Sequence, residues 1–152
     1  MRLMGRWIDE EKEETLCDDF GVGPGDIYRH VESAEWLLYT AGCIAELNHY
    51  KKLTFVLENL RRRVRYGIRE ELLELAGLHG VGRIRARQLF SHGYHKLNDL
   101  QFATVDQLGT IKSIGKALAR DIVTQAHAPA LKPRYSSKHT LAAEESEAEI
   151  TE

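Results

Sequence analysis

The sequence predicts an all-α protein with two small helical domains, at residues 1–66 and 67–126, followed by a flexible acidic tail at 127–152. Three observations carry this prediction. Apolar residues recur at the 3.6-residue period of helices, and alternating β-branched runs are absent. A Gly-hydrophobic-Gly turn lies between two helical stretches, and a weaker copy follows at matched spacing. After His127 the composition shifts to Pro129, Pro133 and Ser136-Ser137, then to Glu144-Glu145-Ser146-Glu147-Ala148-Glu149, which is the composition of a tail.

Taken in order, residues 9–19 read as a short acidic helix closed by Gly21-Val22-Gly23-Pro24-Gly25. Asp26 or a neighbour caps a long helix running to about Asn48. Its core stripe is Ile27, Val31, Ala34, Leu38, Ala41 and Ala45, flanked by Leu37 and Ile44. A basic helix follows from about Lys52 to Arg65, with Leu53, Val56, Leu57, Leu60 and Val64 as its buried stripe. Gly67 breaks the chain, and short helices separated by glycines continue to about Ala126.

Composition narrows the function classes. Hydrophobic residues at 43% with charged residues at 29% describe a globular chain. Cys17 and Cys43 form neither a disulfide framework nor a Cys-x-x-Cys pair, which favours a reducing, intracellular setting. The longest apolar stretch, Trp36 to Ala45, stops at Glu46, too short for a membrane span. Acidic residues from Asp9 to Glu14 follow the start too closely for a signal peptide. A soluble, cytoplasmic monomer is expected. The net charge of −2 hides an uneven distribution. Residues 1–50 carry 4 basic and 11 acidic side chains, whereas residues 51–96 carry 11 basic and 4 acidic. A basic middle of this kind is the footprint of a phosphate binder.

The doubled turn is the most specific signal. Leu78-His79-Gly80-Val81-Gly82-Arg83-Ile84-Arg85-Ala86-Arg87-Gln88-Leu89 fits helix, tight turn, helix. Gly80 and Gly82 permit the turn and leave room for phosphate oxygens at the N–H groups of the next helix. The second copy runs from Leu108 to Ala119. Aligning Gly82 with Gly115 sets Ala86 opposite Ala119 and Leu89 opposite Ile122, with Ser113 in place of the first glycine. Such a pair is a tandem helix-hairpin-helix unit, suited to gripping two phosphates of one nucleic-acid backbone. Arg83, Arg85 and Arg87 open the helix after the first turn, where positive charge is mildly unfavourable unless an anion answers it. Lys112 and Lys116 sit at the second turn and are expected to bind phosphate there. A packing-only role is the alternative for either turn taken singly.

On the long helix, Arg29 and Trp36 are seven residues apart and fall within about 20° of each other, away from the core stripe. Indole stacks on a base while guanidinium meets a phosphate. Equally, Trp36 could pack against a neighbouring helix, and the residues alone leave both readings open.

Three blocks together resemble the C-terminal end of archaeal superfamily-two, SKI-two-like DNA helicases, relatives of the animal repair helicase HELQ. They are Gly25-Asp26-Ile27 with Val31 to Leu37, Arg65 to Leu75, and Gly82 to Phe90. The resemblance covers about residues 5–126. It implies that the long helix is a ratchet helix lying across the emerging single strand, with Arg29 and Trp36 in contact with DNA. It implies also that the hairpin domain holds that strand, within an ATP-dependent 3′→5′ helicase acting at stalled forks. The two motor domains of that family, and any Gly-x-x-x-x-Gly-Lys-Ser/Thr loop, are missing from this sequence. ATP and magnesium are therefore expected to belong to those motor domains, Met1 to begin an excised piece, and this chain not to hydrolyse ATP. Its expected partners are single-stranded or forked DNA, the motor domains and, through the tail, a replication protein.

Other constellations are weaker. His92 and His95 lack a third metal ligand nearby and read as surface histidines. Lyase chemistry, which some helix-hairpin-helix proteins support, would need a lysine and a carboxylate in a cleft. Glu70, Glu71 and Glu74 read as one solvated helix face. The rival function is a protein-interaction module that uses hairpin packing and the tail, with Lys132-Pro133-Arg134-Tyr135 as a recognition segment.

Overall fold

A computed structural model describes residues 2–127. The predicted tail lies outside the described residues from residue 128 onward, and with it the Lys132–Tyr135 segment. Among the described residues every regular element is helical: α1 (Arg2–Ile8), α2 (Glu13–Phe20), α3 (Pro24–Leu47), α4 (Lys51–Tyr66), α5 (Arg83–Ser91), α6 (Leu97–Gln101), α7 (Val105–Gly109) and α8 (Lys116–His127). Single 3-10 turns at Glu70–Leu72 and Leu75–Gly77 join α4 to the hairpins.

The start of the chain differs from the expected single helix over 9–19. It forms two helices, broken where Glu10 adopts a left-handed φ of 68°. Periodicity missed α1 because seven residues hold too few turns to show a stripe. The long helix begins slightly earlier than expected, with Gly23 at its N-cap and Pro24 in its first turn. Asp26 works from the third helical position, where its Oδ2 accepts the Gly23 N–H at 2.9 Å.

Two apolar clusters form the interior. Trp7, Leu16, Ile27, Val31 and Val64 centre the first. The second runs from Ile68 through Leu72, Leu75, Ala86, Leu89, Leu108 and Ala119 to Ile122 and Ala126. α3 and α4 pair as an antiparallel hairpin, and α1 and α2 cover only its base. The expected α4 stripe therefore holds at Val64, which is buried, and partly at Leu57 and Leu60. It fails at Leu53 and Val56, which are 48% and 58% exposed, because no third layer reaches that end. Leu37 and Ile44 of α3 are uncovered for the same reason.

Candidate nucleic-acid interface

The two turns are near copies in three dimensions. Leu78 and Ile111, Val81 and Ile114, Ala86 and Ala119, and Leu89 and Ile122 are equivalent by position, and all eight are buried. The Val81 N–H donates to Leu78 O at 3.1 Å, and the Ile114 N–H to Ile111 O at 3.0 Å. In each copy the residue two before the helix N-cap is left-handed: Gly80 at φ 78° and Ser113 at φ 73°. The Ser-for-Gly departure thus preserves the turn and carries conformational cost. Helical bonding then starts with Ala86 N–H to Gly82 O and Ala119 N–H to Gly115 O, both 2.9 Å. The preceding amides of α5 and α8 have no carbonyl partner within their own helices and point out past the N-terminus.

The glycines divide into two kinds. At Gly80 a Cβ would come within 2.8 Å of Leu118 Cδ1 from α8, so both packing and φ favour glycine. Gly82 and Gly115 have nothing within 4 Å of such a Cβ, and neither has a positive φ. Nothing inside the chain requires glycine at these two N-caps. What their bare Cα leaves is open space in front of two sets of helix N–H groups. α8 braces the first turn, since the His79 N–H donates to Gln125 Oε1 at 2.7 Å and Gln125 Nε2 donates back to His79 O at 3.2 Å.

The three arginines after the first turn do not form the expected row facing a ligand. Arg85 reaches both turns, donating from Nη1 to Gly80 O at 2.8 Å and from Nε to Ser113 O at 2.9 Å. It ties the two left-handed residues together. Arg83 turns back to the first domain: its guanidinium lies 4.9 Å from the Trp7 ring centroid and donates to Glu11 O. Burial lowers its pKa, opposed by the carboxylates of Glu10 and Glu13. Arg87 grips Glu10 with two bonds, at 2.7 and 2.6 Å, and meets Glu71 at 2.9 Å. These hydrogen bonds raise its pKa. Glu71 is therefore an ion-pair partner and not part of a purely solvated face. Glu74 likewise accepts the Leu97 N–H at 3.3 Å, and the three glutamates do not share one α-helix.

Much of the basic middle is engaged inside the molecule. Arg61 is 6% exposed, bonded to Glu58 at 2.9 and 2.8 Å, with Glu35 at 3.8 Å. Arg65 meets Glu35 at 3.3 Å. Arg62 donates to Leu73 O at 2.7 Å and Arg63 to Ile68 O at 3.4 Å, so both hold the strap leading into the hairpins. The charge count foresaw cations but not that carboxylates, among them Glu10 and Glu35 of the first fifty residues, and main-chain carbonyls would engage them. Exposed cations remain at the second turn. Lys112 and Arg120 are exposed, and Lys116 is 75% exposed with only the open Asp106 at 3.5 Å.

Arg29 and Trp36 lie on the open side of α3. Trp36 is 59% exposed, so the packing alternative does not apply among the described residues. The Arg29 side chain is 77% exposed and touches Asp26 at 2.5 Å. Ser33 and Thr40 bond back to the carbonyls of Arg29 and Trp36 at 2.9 and 3.0 Å, leaving the indole uncovered, while the guanidinium keeps its bond to Asp26. His92 and His95 do not converge on a third ligand: one ring contacts Gln88 O at 2.7 Å and the other lies edge-on to Phe90 at 4.4 Å. Sequence reading did not single out Trp7 or Glu10, both central to the domain contact. The available signal was an acidic run near the start opposite an arginine-rich helix far along the chain.

Comparison with known proteins gives two family matches. Residues 1–67 match archaeal helicase domain 4, and residues 72–128 match the SAM-like helix-hairpin-helix tandem. Among curated proteins the chain is similar to the ATP-dependent DNA helicase Hel308 of Pyrococcus abyssi, 41% identical over 121 residues. That match covers 79% of this chain and 17% of the relative. The proteins of the same name from Pyrobaculum calidifontis and Thermoplasma acidophilum are 40% and 35% identical over 125 and 127 residues. These matches cover 82% and 83% of this chain, and 18% of each relative. The chain thus spans less than a fifth of the length of these relatives.

Proposed function

We propose that this chain, which matches archaeal helicase domain 4 over residues 1–67 and the helix-hairpin-helix tandem over residues 72–128, is a DNA-backbone-binding accessory module of an ATP-dependent DNA helicase. Its task is to hold single-stranded or forked DNA without regard to sequence while a motor elsewhere in the longer protein supplies movement. The observation that carries this reading is the pair of N-cap glycines, Gly82 and Gly115, whose missing side chains answer no internal need. Helix N-termini with exposed amides bind anions, and two held at fixed separation suit successive phosphates. Lys112, Lys116 and Arg120 add exposed charge at the second turn. Arg29 and Trp36 offer a second contact, in which indole stacks on a base and guanidinium meets a phosphate.

ATP and magnesium would be held by the motor domains, and the relatives' greater length leaves room for them. Tyr50, Leu53, Phe55 and Val56, uncovered at the far end of the α3–α4 hairpin, supply an apolar face on which the rest of such a protein would sit. A role at stalled forks, with 3′→5′ movement, extends the same reading.

The test is binding of labelled single strands and forks of unrelated sequence at two salt concentrations. Affinity should be insensitive to sequence and fall steeply with salt. Gly82→Ala with Gly115→Ala should weaken binding strongly while the chain stays folded, with a melting temperature lowered only by the loss of two N-cap residues. Lys116→Ala should flatten the log-log salt slope on a single strand by about 0.7, the value of one neutralised phosphate. Undiminished binding by the double glycine variant would remove the hairpins from the interface. No binding to any strand would leave the protein-interaction reading in possession.

A further inference from the structure

The contact between the two domains is built from more specific parts than a passive junction needs. Trp7 is 5% exposed, and its Nε1 donates to Val64 O at 2.7 Å. Its ring lies so close over Gly67, the left-handed residue where α4 ends, that a Cβ there would fall 2.6 Å from it. Arg83 stacks on the same ring from α5, and the Tyr28 ring meets it edge-on at 6.1 Å. Glu10 stands one turn away, its side chain 12% exposed. It accepts two bonds from Arg87 and, at 3.0 Å, the Arg69 N–H from the strap just after Gly67. One carboxylate and one indole on the α1–α2 segment thus hold the chain break, the strap and the first hairpin helix together.

We propose that Trp7, Glu10, Arg83 and Arg87 form an interdomain latch that fixes the direction in which the two hairpin turns face relative to the Arg29–Trp36 side of α3. Glu10 is a positioning residue in this scheme, acting on DNA through Arg87 and the orientation of α5. A strand that touches both the turns and α3 gains from linkage only if the two sites are held at a compatible separation and direction. The DNA consequence rests on the proposed backbone-binding function, whereas the latch itself does not. Sequence hid it because the hydrogen bonds that build it join residues 57 to 77 positions apart.

The experiment compares the full chain with Glu10→Gln and Arg87→Gln. Residual dipolar couplings read the relative orientation of the domains, and strand binding is measured with a short single strand that the turns alone can hold and with a longer one. Either variant should let the two domains report independent alignment while each keeps its own helical signals. Affinity for the short strand should stay within about twofold, and that for the long strand should fall about tenfold as linkage disappears. Combining the two changes should add little, since both break one ion pair. If Glu10→Gln fails to fold, Arg87→Gln reads the same pair from its other side. Common alignment retained in the variants would overturn the latch. Equal weakening for short and long strands would overturn the positioning role. A native chain that shows one rigid alignment but binds neither strand would keep the latch and reject the DNA reading.

Discussion

Two glycines that look alike in the sequence do different work, and alanine separates them. Gly80 is left-handed and pressed against Leu118. Gly80→Ala should therefore cost at least about 1–2 kcal/mol, the usual penalty of a left-handed backbone carrying a Cβ. Gly82 has an ordinary φ and open surroundings, so Gly82→Ala should cost less, about 0.5–1 kcal/mol, the difference between the two residues at an N-cap. Ser113→Gly should raise stability by up to about 1 kcal/mol, because it relieves the same penalty in the second turn. Chemical denaturation of the three variants checks the order. The two tryptophans divide in the same way. Trp7 is buried and hydrogen-bonded, and Trp7→Ala should cost about 3–5 kcal/mol. Trp36 is 59% exposed, so Trp36→Ala should leave the melting temperature nearly unchanged while single-strand affinity drops by about 1–3 kcal/mol. A melting temperature lowered by Trp36→Ala, with DNA binding intact, would return that residue to a structural role.

At the scale of elements, legibility followed the range of the interactions that make each one. The long helix α3 and the doubled hairpin were readable because their signals are local: a stripe at helical spacing, and a turn repeated with Ala86 and Leu89 matched by Ala119 and Ile122. The left-handed turn at Ser113 was readable only through the alignment with Gly80, since serine by itself says nothing of φ. α1 was missed because its single buried anchor, Trp7, finds its partners at Val64, Gly67 and Arg83. The stripe on α4 was over-read at Leu53 and Val56, because periodicity shows that a face is apolar but not whether anything covers it. The candidate site divided along the same line. Gly80, Gly82, Gly115 and Lys116 lie where the repeat put them, and Arg29 and Trp36 where helical geometry put them. Arg83 and Arg87 were assigned outward from local context, and carboxylate, carbonyl and indole groups more than seventy residues earlier claimed them.

Over the whole molecule, charge does more to join the domains than the near-neutral total implies, and that makes the junction sensitive to acid. Burial pushes the Glu10 carboxyl up. The bonds from Arg87 and the Arg69 N–H, with the positive charges of Arg87 and Arg83, outweigh that and hold its pKa below the ordinary 4.5. A carboxyl whose pKa is lower in the folded chain than in the unfolded one stabilises the fold while it is ionised. That contribution is complete above the unfolded value and vanishes as pH falls through the folded value. Glu71, also below 4.5 and sharing Arg87, gives up its part in the same range. The charged groups facing Glu10 are Arg87 and Arg83 from α5 and Glu71 from the first 3-10 turn, and neither guanidinium titrates there. The window therefore opens at about pH 4.5 and extends downward. Between pH 8 and 5 the domains should keep a single relative alignment. Below pH 4.5 that alignment should relax in the native chain, while the Glu10→Gln variant, already lacking the carboxylate, should show no further transition from this ion pair. Dipolar couplings across the titration measure both. A native junction that loosens near pH 6.5 would point to histidine instead, and one unchanged down to pH 2 would show that Trp7 and Arg83 hold the domains without Glu10.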